Sequence, residues 1–179
     1  MDKRFEQATL AGGCFWCIEA VFQEVKGVTK VVSGYSGGKT DDPTYDEAHY
    51  SNSGHAEAVQ ITFDPKVISY EQLLQIFYYV HDPTTLNRQG NDVGEEYRSI
   101  IFYHDAAQKK TAEEITKSFA AKLWSDPIVT EIVPLEKFWQ AEGFLQNFYR
   151  NNPNLGYCQV IINPKLDKFR KKFESLLKT

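Results

Sequence analysis

The chemistry of this chain is predicted to centre on Cys14 and its immediate neighbours. Cys14 follows Gly12 and Gly13 and precedes Phe15 and Trp16. Glycines permit a tight turn, and a thiol at the start of the next helix meets free N–H groups and the positive end of the helix dipole, which favour the thiolate. The thiolate is the form that attacks. The stretch therefore predicts a nucleophilic cysteine next to two aromatic side chains that could contact a small apolar group of a substrate. The alternative is a cysteine that only packs in the core.

A candidate general acid lies on the predicted strand over residues 55–63. Side chains alternate along a strand, so Glu57 shares a face with Val59, Ile61 and Phe63. A carboxylate on an apolar face is costly unless it is paired or protonated, and desolvation raises its pKa toward neutrality. Glu57 is therefore predicted to act as a general acid. The alternatives are an exposed strand end or a cationic partner.

Three further polar side chains come from regions that flank this strand. Tyr45 and Tyr97 offer phenolic O–H donors, although either of these tyrosines could serve packing alone, because the chain has 10 tyrosines. Asp92 lies in a glycine-bearing stretch over residues 89–94, where a turn residue that bonds its own backbone is the alternative to a binding role.

A second cysteine, Cys17, makes a C-x-x-C pattern with Cys14. This pattern is typical of thioredoxin-like redox sites and also of half a zinc site. A structural zinc needs four ligands, but the sequence has no second C-x-x-C, and Cys158 and the 4 histidines follow no recognised metal-ligand spacing. We therefore expect no metal and no cofactor. A general thiol–disulfide oxidoreductase and a zinc-stabilised binding module stay open as alternatives to a Cys14 enzyme.

The hydrophobic pattern predicts an α/β (α+β) fold with the element order β-α-β-β-α-β, then α-β, then an irregular tail. This order indicates a two-layer ferredoxin-like sandwich with its helices on one face. Loops over residues 36–54 and 82–96 would then meet near Cys14. The strands are predicted over residues 5–10, 29–35, 55–63, 97–104 and 128–133, and the helices over 18–25, 70–80, 106–123 and 166–177.

Length and composition limit the class of protein. The 179 residues fit a single catalytic domain, 1–179, and the net charge of −4 argues against nucleic-acid binding. Residues 1–7 hold no apolar signal core, and no run has the length of a membrane span. The 3 cysteines are too few for a disulfide scaffold. We expect a cytoplasmic protein with reduced thiols, off the membrane and monomeric.

Eight short segments, taken together, resemble peptide methionine sulfoxide reductases of the A type. They run in order along most of the chain, which makes the resemblance specific. The segments are GCFW (13–16), GYSGG (34–38), PTY (43–45), GHAEAV (54–59), HDP (81–83), RQGND (88–92), Gly94 with YRS (97–99), and GYC (156–158).

The resemblance implies a role for each candidate residue. Cys14 would attack the sulfoxide sulfur, and Glu57 would protonate the oxygen with hydrogen bonds from Tyr45 and Tyr97. The substrate-binding residues would be Phe15 and Trp16 for the methyl group and Asp92 for the backbone amide. The S epimer of methionine sulfoxide, free or in proteins, would leave Cys14 as a sulfenic acid.

The resemblance also implies a recycling route. Cys158 would resolve the sulfenic acid as a disulfide, and thioredoxin would reduce that disulfide. Family members often carry glycine where this chain has Cys17, and many carry a second C-terminal cysteine that residues 159–163 lack. Cys17 is therefore either a redox partner or a packing residue.

Overall fold

A six-stranded sheet forms the centre of the computed structural model, which describes residues 4–179. Met1, Asp2 and Lys3 lie outside the described residues; they belong to the stretch 1–7 for which the sequence predicted no signal core. The strands are β1 (Glu6–Gly12), β2 (Val28–Ser36), β3 (Ala56–Phe63), β4 (Arg88–Gln89), β5 (Asp92–Val93), β6 (Ser99–Tyr103), β7 (Glu131–Pro134) and β8 (Phe138–Gln140). β4 and β5 pair separately as a short hairpin.

The sheet order is β7–β6–β1–β3–β2–β8. Neighbouring strands are antiparallel except for β6 and β7, which are parallel. The predicted mixed α/β class is confirmed. The sheet has one strand more than predicted, because β8 extends one edge, whereas β7 at the other edge overlaps the strand predicted over residues 128–133. β8 lies in the region predicted to be irregular. The sequence did not predict this strand, because three residues are too few to show an alternating pattern.

Seven α-helical segments connect these strands in the described residues. They are α1 (Phe15–Phe22), α2 (Tyr45–Tyr50), α3 (Tyr70–Val80), α4 (Ala106–Ile115), α5 (Ala121–Leu123), α6 (Phe148–Asn151) and α7 (Asn163–Lys172). A π-helical turn, Thr116–Ala120, joins α4 to α5, and a second, Cys158–Ile162, leads into α7. The tail is therefore more regular than predicted. Tyr97 lies in a 3₁₀ turn, Glu95–Tyr97, and not in the strand predicted to start there.

Alternating side chains divide the core between the two faces of the sheet. Leu10 of β1 and Val59 of β3 join a large cluster with residues of α1, α3, α4 and α7. Ala11, which follows Leu10, and Ala58, which precedes Val59, join a small cluster with Ile100 and Phe102 on the other face. Helix α1 therefore packs on the sheet face to which odd-numbered residues of β3 point, and this brings its first turn toward Glu57.

The described residues include no helix that is both long enough and apolar enough to cross a membrane.

Candidate active site

The turn between β1 and α1 holds Cys14 at the N-cap of the helix, as predicted. Gly13 has φ +90°, a conformation that side chains disfavour, and a Cβ there would lie 2.5 Å from the side chain of Gln89. The Gln89 amide in turn accepts from the backbone N–H of Asp82 (2.9 Å) and donates to its carbonyl (3.0 Å). Glycine at position 13 thus lets the loop over residues 82–94 approach Cys14.

The Cys14 thiol does not titrate in the direction that its helix position predicts. Burial raises the pKa of Cys14 well above its ordinary value, and the hydrogen bond with Cys17 and the charge of Glu57 raise it further. Only 8% of Cys14 is exposed. Desolvation outweighs the helix dipole here, so the resting residue is a thiol. The neighbouring Cys17 behaves in the opposite way: the hydrogen bond from Cys14 and the charge of Lys165 lower its pKa to about 7 against the effect of burial.

Glu57 is buried, with 2% of its surface exposed, on the face of β3 that meets α1. Its Oε2 accepts a hydrogen bond of 3.0 Å from the backbone N–H of Phe15, the first residue of the helix. Its Oε1 lies 2.9 Å from Nε2 of His49. Burial raises the pKa of Glu57, although His49 and the Phe15 N–H oppose the shift. The carboxyl is thus fixed next to Cys14 and is inclined to hold a proton.

Helix α2 carries Tyr45 into this site from a region that was predicted to be a loop. Thr44 and Glu47 form a capping box that starts the helix. Oε2 of Glu142 accepts from the backbone N–H of Tyr45 at 3.3 Å and holds the helix start against the region after β8. Tyr97 comes from the 3₁₀ turn before β6.

The two tyrosines and the carboxyl share one neighbourhood. Burial raises the pKa of Tyr45 and of Tyr97, and the charges of Glu57 and Cys14 raise both further. Within residues 4–179 neither hydroxyl has a hydrogen-bond partner, and neither is sealed from solvent. Two phenolic O–H groups are thus available beside the Glu57 carboxyl.

Asp92 lines a cavity of about 190 Å³ together with Cys14, Cys17, Tyr157 and Lys165. The Tyr157 hydroxyl donates to Oδ2 of Asp92 (2.8 Å) and lies 3.8 Å from Sγ of Cys17. The predicted meeting of the 82–96 loop with Cys14 is therefore observed. The Asp92 carboxylate is held by a tyrosine and is available to accept a further N–H donor.

The aromatic neighbours of Cys14 differ in their surroundings. Phe15 is buried against Tyr35, with ring centroids 5.7 Å apart. Trp16 stacks on Phe148 at 3.6 Å with nearly parallel planes and meets the edge of Tyr157 at 5.7 Å. One face of Trp16 is therefore covered by the C-terminal region, which leaves its other surfaces for an apolar group.

Cys158 is fully buried in the helix-side core. It begins the π-helical turn before α7, and burial raises the pKa of its thiol. The sequence predicted an irregular tail here. That prediction is wrong, since Cys158 belongs to a helical segment and its side chain packs inward. All three thiols are free.

A larger cavity of about 880 Å³ lies on the other face of the sheet, among Arg98, Phe102 and Trp139. No cysteine lines this larger cavity, whereas Cys14 and Cys17 both line the smaller one. Within the described part of the chain, no three His, Cys, Asp or Glu side chains cluster as metal ligands do.

Sequence reasoning gave no role to three residues that the structure brings to the site: His49, Tyr157 and Lys165. A signal for His49 was available, because Thr44 and Glu47 predict a helix on which residue 49 lies one turn after Tyr45. Tyr157 and Lys165 reach the site only through the packing of the tail on α1, and no local pattern indicates that.

Comparisons with known proteins agree on one family. The family model described as peptide methionine sulfoxide reductase matches residues 6–177. A peptide methionine sulfoxide reductase of Sulfolobus acidocaldarius is 58% identical over 168 residues, which are 94% of this chain and 95% of the relative.

Two solved structures are also similar. Methionine sulfoxide reductase A of Corynebacterium diphtheriae superimposes with a TM-score of 0.82 at 35% identity, covering 89% of this chain and 80% of that one. Mxr1 from Saccharomyces cerevisiae in complex with Trx2 gives a TM-score of 0.58 at 26% identity, with 83% and 87% covered. The fold, the cysteine at the helix start and the match over nearly the whole length lead to one conclusion: the chain belongs to the peptide methionine sulfoxide reductase family.

Proposed function

We propose that this enzyme reduces the S epimer of methionine sulfoxide, free or in proteins, with Cys14 as nucleophile and Glu57 as general acid. The observation that carries the proposal is the meeting of these two groups at one helix start: Cys14 is the N-cap of α1, and Glu57 accepts from the N–H of the next residue at 3.0 Å. A thiol and a protonated carboxyl at one helix start can act together on a sulfur–oxygen bond.

The first step transfers the sulfoxide oxygen to Cys14. The Cys14 sulfur attacks the sulfoxide sulfur while Glu57 gives its proton to the oxygen, and the Cys14 thiol proton goes back to Glu57. The sulfur–oxygen bond of the substrate and the transient bond between the two sulfurs then break, and a bond between that oxygen and the Cys14 sulfur forms. The substrate sulfur gains two electrons and leaves as methionine. Cys14 loses two electrons and becomes a sulfenic acid.

The substrate oxygen and side chain would be held by the residues around this pair. Tyr45 and Tyr97 donate their unpartnered O–H groups to the oxygen as negative charge develops on it. Phe15 and Trp16 contact the methyl group. Asp92 accepts the backbone N–H of the substrate methionine, and the hydrogen bond from Tyr157 fixes the Asp92 carboxylate for that task.

The sulfenic acid is resolved by a second thiol, with loss of water and formation of a disulfide. Cys158 has this role by family resemblance, but its buried π-helical position requires the segment before α7 to rearrange first. Cys17 lies one helical turn after Cys14, its backbone N–H donates to the Cys14 carbonyl at 3.1 Å, and both thiols line the same cavity. The lowered pKa of Cys17 favours its thiolate. We propose that Cys17 forms the first disulfide and that Cys158 takes part afterwards.

Thioredoxin is the proposed reductant of this disulfide. The support is the solved complex of Mxr1 with Trx2, a protein of similar fold. Exchange between dithiol and disulfide then returns Cys14 to its thiol without a cofactor.

We propose the whole chain, 1–179, as a single catalytic domain that works as a monomer in the cytoplasm. Three free thiols fit a reducing compartment such as the cytoplasm. The strand order β6–β1–β3–β2 with α1 and α3 on one face supports a ferredoxin-like description of the core.

Mass spectrometry with one equivalent of a peptide methionine sulfoxide and no reductant tests the proposal. We expect one methionine peptide per chain, followed by an intramolecular disulfide on Cys14. With an excess of racemic sulfoxide and a reductant, consumption should stop at about half of the substrate, because one type of reductase serves each epimer. Strong insulin reduction with no loss of sulfoxide would instead favour a general thiol–disulfide oxidoreductase.

A further inference from the structure

The imidazole of His49 is fixed between the backbone of its own helix and the proposed acid. Its Nδ1 lies 2.7 Å from the carbonyl oxygen of Tyr45, and its Nε2 lies 2.9 Å from Oε1 of Glu57. A carbonyl oxygen only accepts, so Nδ1 carries a hydrogen and donates it. Only 4% of the His49 side chain is exposed, and the ring stacks on that of Tyr45 with centroids 3.8 Å apart.

The contact between His49 and Glu57 must contain one proton. With Nδ1 protonated, a neutral ring presents a lone pair at Nε2, and an ionised carboxylate presents a lone pair at Oε1. Two bare acceptors 2.9 Å apart in a buried site would repel each other. The proton lies either on Nε2, giving an ion pair, or on Oε1, giving a neutral pair. Both arrangements contain the same number of protons.

The surroundings agree with a retained proton. Burial alone would lower the pKa of His49, but the hydrogen bond and charge of Glu57 outweigh it and the net shift is upward. Burial also raises the pKa of Glu57. Both partners therefore release their last proton at a higher pH than either would in water, which is the behaviour of two sites that titrate as a unit.

We propose that His49 is a positioning residue of the reduction step, which shares one proton with Glu57 and so keeps the acid loaded above the pH at which a lone carboxyl would ionise. The inference rests on the proposed role of Glu57. During the step, the shared proton goes through Oε1 to the sulfoxide oxygen, and the Cys14 thiol proton restores the pair. No proton is gained or lost overall.

Other titratable groups also surround the ring, and none of them replaces Glu57 as a hydrogen-bond partner. Glu96 lies close enough for its charge to raise the pKa of His49. The groups that face His49 are Tyr45 and Tyr50 from α2, Glu57 from β3, and Glu96 and Tyr97 from the 3₁₀ turn.

The test is the pH profile of the reduction step in His49→Gln. The Gln amide reaches the position of Nε2 and can donate N–H to Glu57 at any pH, so it stabilises the ionised carboxylate that neutral His49 would repel. The rate of methionine release in a single turnover without reductant should fall as the carboxyl ionises. In His49→Gln we expect the midpoint of that fall to lie about 1 to 2 pH units lower than in wild type, which is the effect of one hydrogen bond to a charged group. At pH values below both midpoints the two rates should converge.

His55→Gln is the matched control. His55 is also a buried histidine, but its Nδ1 accepts from the Gly38 N–H (3.1 Å) and its Nε2 donates to the Thr40 carbonyl (2.7 Å), so no carboxylate depends on it. We expect its midpoint to match that of wild type. A midpoint is independent of the amount of folded protein. An unchanged midpoint in His49→Gln, or a rate lowered by one factor at every pH, would overturn the inference.

A spectroscopic measurement covers the case in which His49→Gln does not fold. In ¹⁵N-histidine-labelled Cys14→Ser protein, the Nε2 signal of His49 should titrate while Nδ1 stays protonated. Its midpoint should drop when Glu57→Gln is added, and an unchanged midpoint would contradict the pairing. Wild-type protein that releases no methionine would sink the proposed function instead, and the NMR titration would still report on the pair.

Discussion

Replacing Glu57 by glutamine is the most direct test of the proposed acid. The amide oxygen can still accept from the Phe15 N–H, and the amide N–H₂ can donate to Nε2 of His49, so both contacts of the carboxyl survive. The amide has no proton to give. We expect the reduction step to slow by about 10² to 10⁴, the usual contribution of a general acid.

Glu57→Ala provides the comparison that separates chemistry from folding. It removes the same proton but leaves the Phe15 N–H buried without an acceptor, which costs about 1 to 3 kcal/mol of unfolding free energy. The rate of the reduction step should therefore fall by a similar factor in both variants, while only the alanine variant should lose much unfolding free energy. Rapid-quench measurement of methionine release at pH 7, next to denaturant unfolding, gives both quantities.

Two results would refute this reasoning. A Glu57→Gln enzyme with a normal rate of methionine release would show that another group supplies the proton. If the rate of methionine release fell in the two variants only as far as their unfolding free energy fell, the carboxyl would serve folding alone.

Three other substitutions test the cysteines of the site, and a fourth tests the pH dependence of stability. Cys14→Ser should abolish methionine release with the fold intact, and near-normal turnover would exclude Cys14 as the nucleophile. Cys158→Ser should release one methionine and form a Cys14–Cys17 disulfide on peptide mapping; accumulation of sulfenic acid would exclude Cys17 as the first partner. Cys17→Ser should also release one methionine but turn over slowly with thioredoxin, and normal turnover would make Cys17 a packing residue. Burial lowers the pKa of His81 to about 4 although its ring donates to the Phe77 carbonyl. The unfolded chain gains a proton there near pH 6.5, so stability falls as the pH drops from 6.5 toward 4. His81→Asn should reduce the loss of unfolding free energy between pH 7 and 4.5 by about 2 to 3 kcal/mol, and an equal loss would show that other groups carry the acid sensitivity.

The central pieces of this site follow from short-range sequence patterns. Two glycines before Cys14 indicate a turn, the apolar period after it indicates a helix, and alternation along β3 puts Glu57 on the helix side. Each of these signals depends on neighbours a few positions away. The structure agrees on where both side chains lie because β1, α1 and β3 are regular and pack directly on one another.

Other features depend on contacts that the local sequence does not encode. The raised pKa of Cys14 comes from burial under the complete fold, against a helix dipole that the sequence does indicate. The inward position of Cys158 arises because the tail packs on the helix side of the sheet, where 0% of this residue remains exposed. Helix α2 is a different case, since its capping box was present in the sequence and the Gly-rich composition around it obscured the signal.

The contact between Gly13 and Gln89 has a consequence for engineering substrate scope. The Gln89 side-chain amide accepts from the Asp82 N–H and donates to the Asp82 carbonyl, so residues 82 and 89 lie against the turn that precedes Cys14 as one unit. Surface loops accept added length at small entropic cost. Insertions between residues 83 and 87 would lengthen the loop without moving residues 82 and 89. Insertions between residues 89 and 92 would shift Asp92 relative to Cys14. Variation at Gly90 and Asn91 is thus the place to redesign which peptides fit, with the turn that carries the sulfur left in its present geometry.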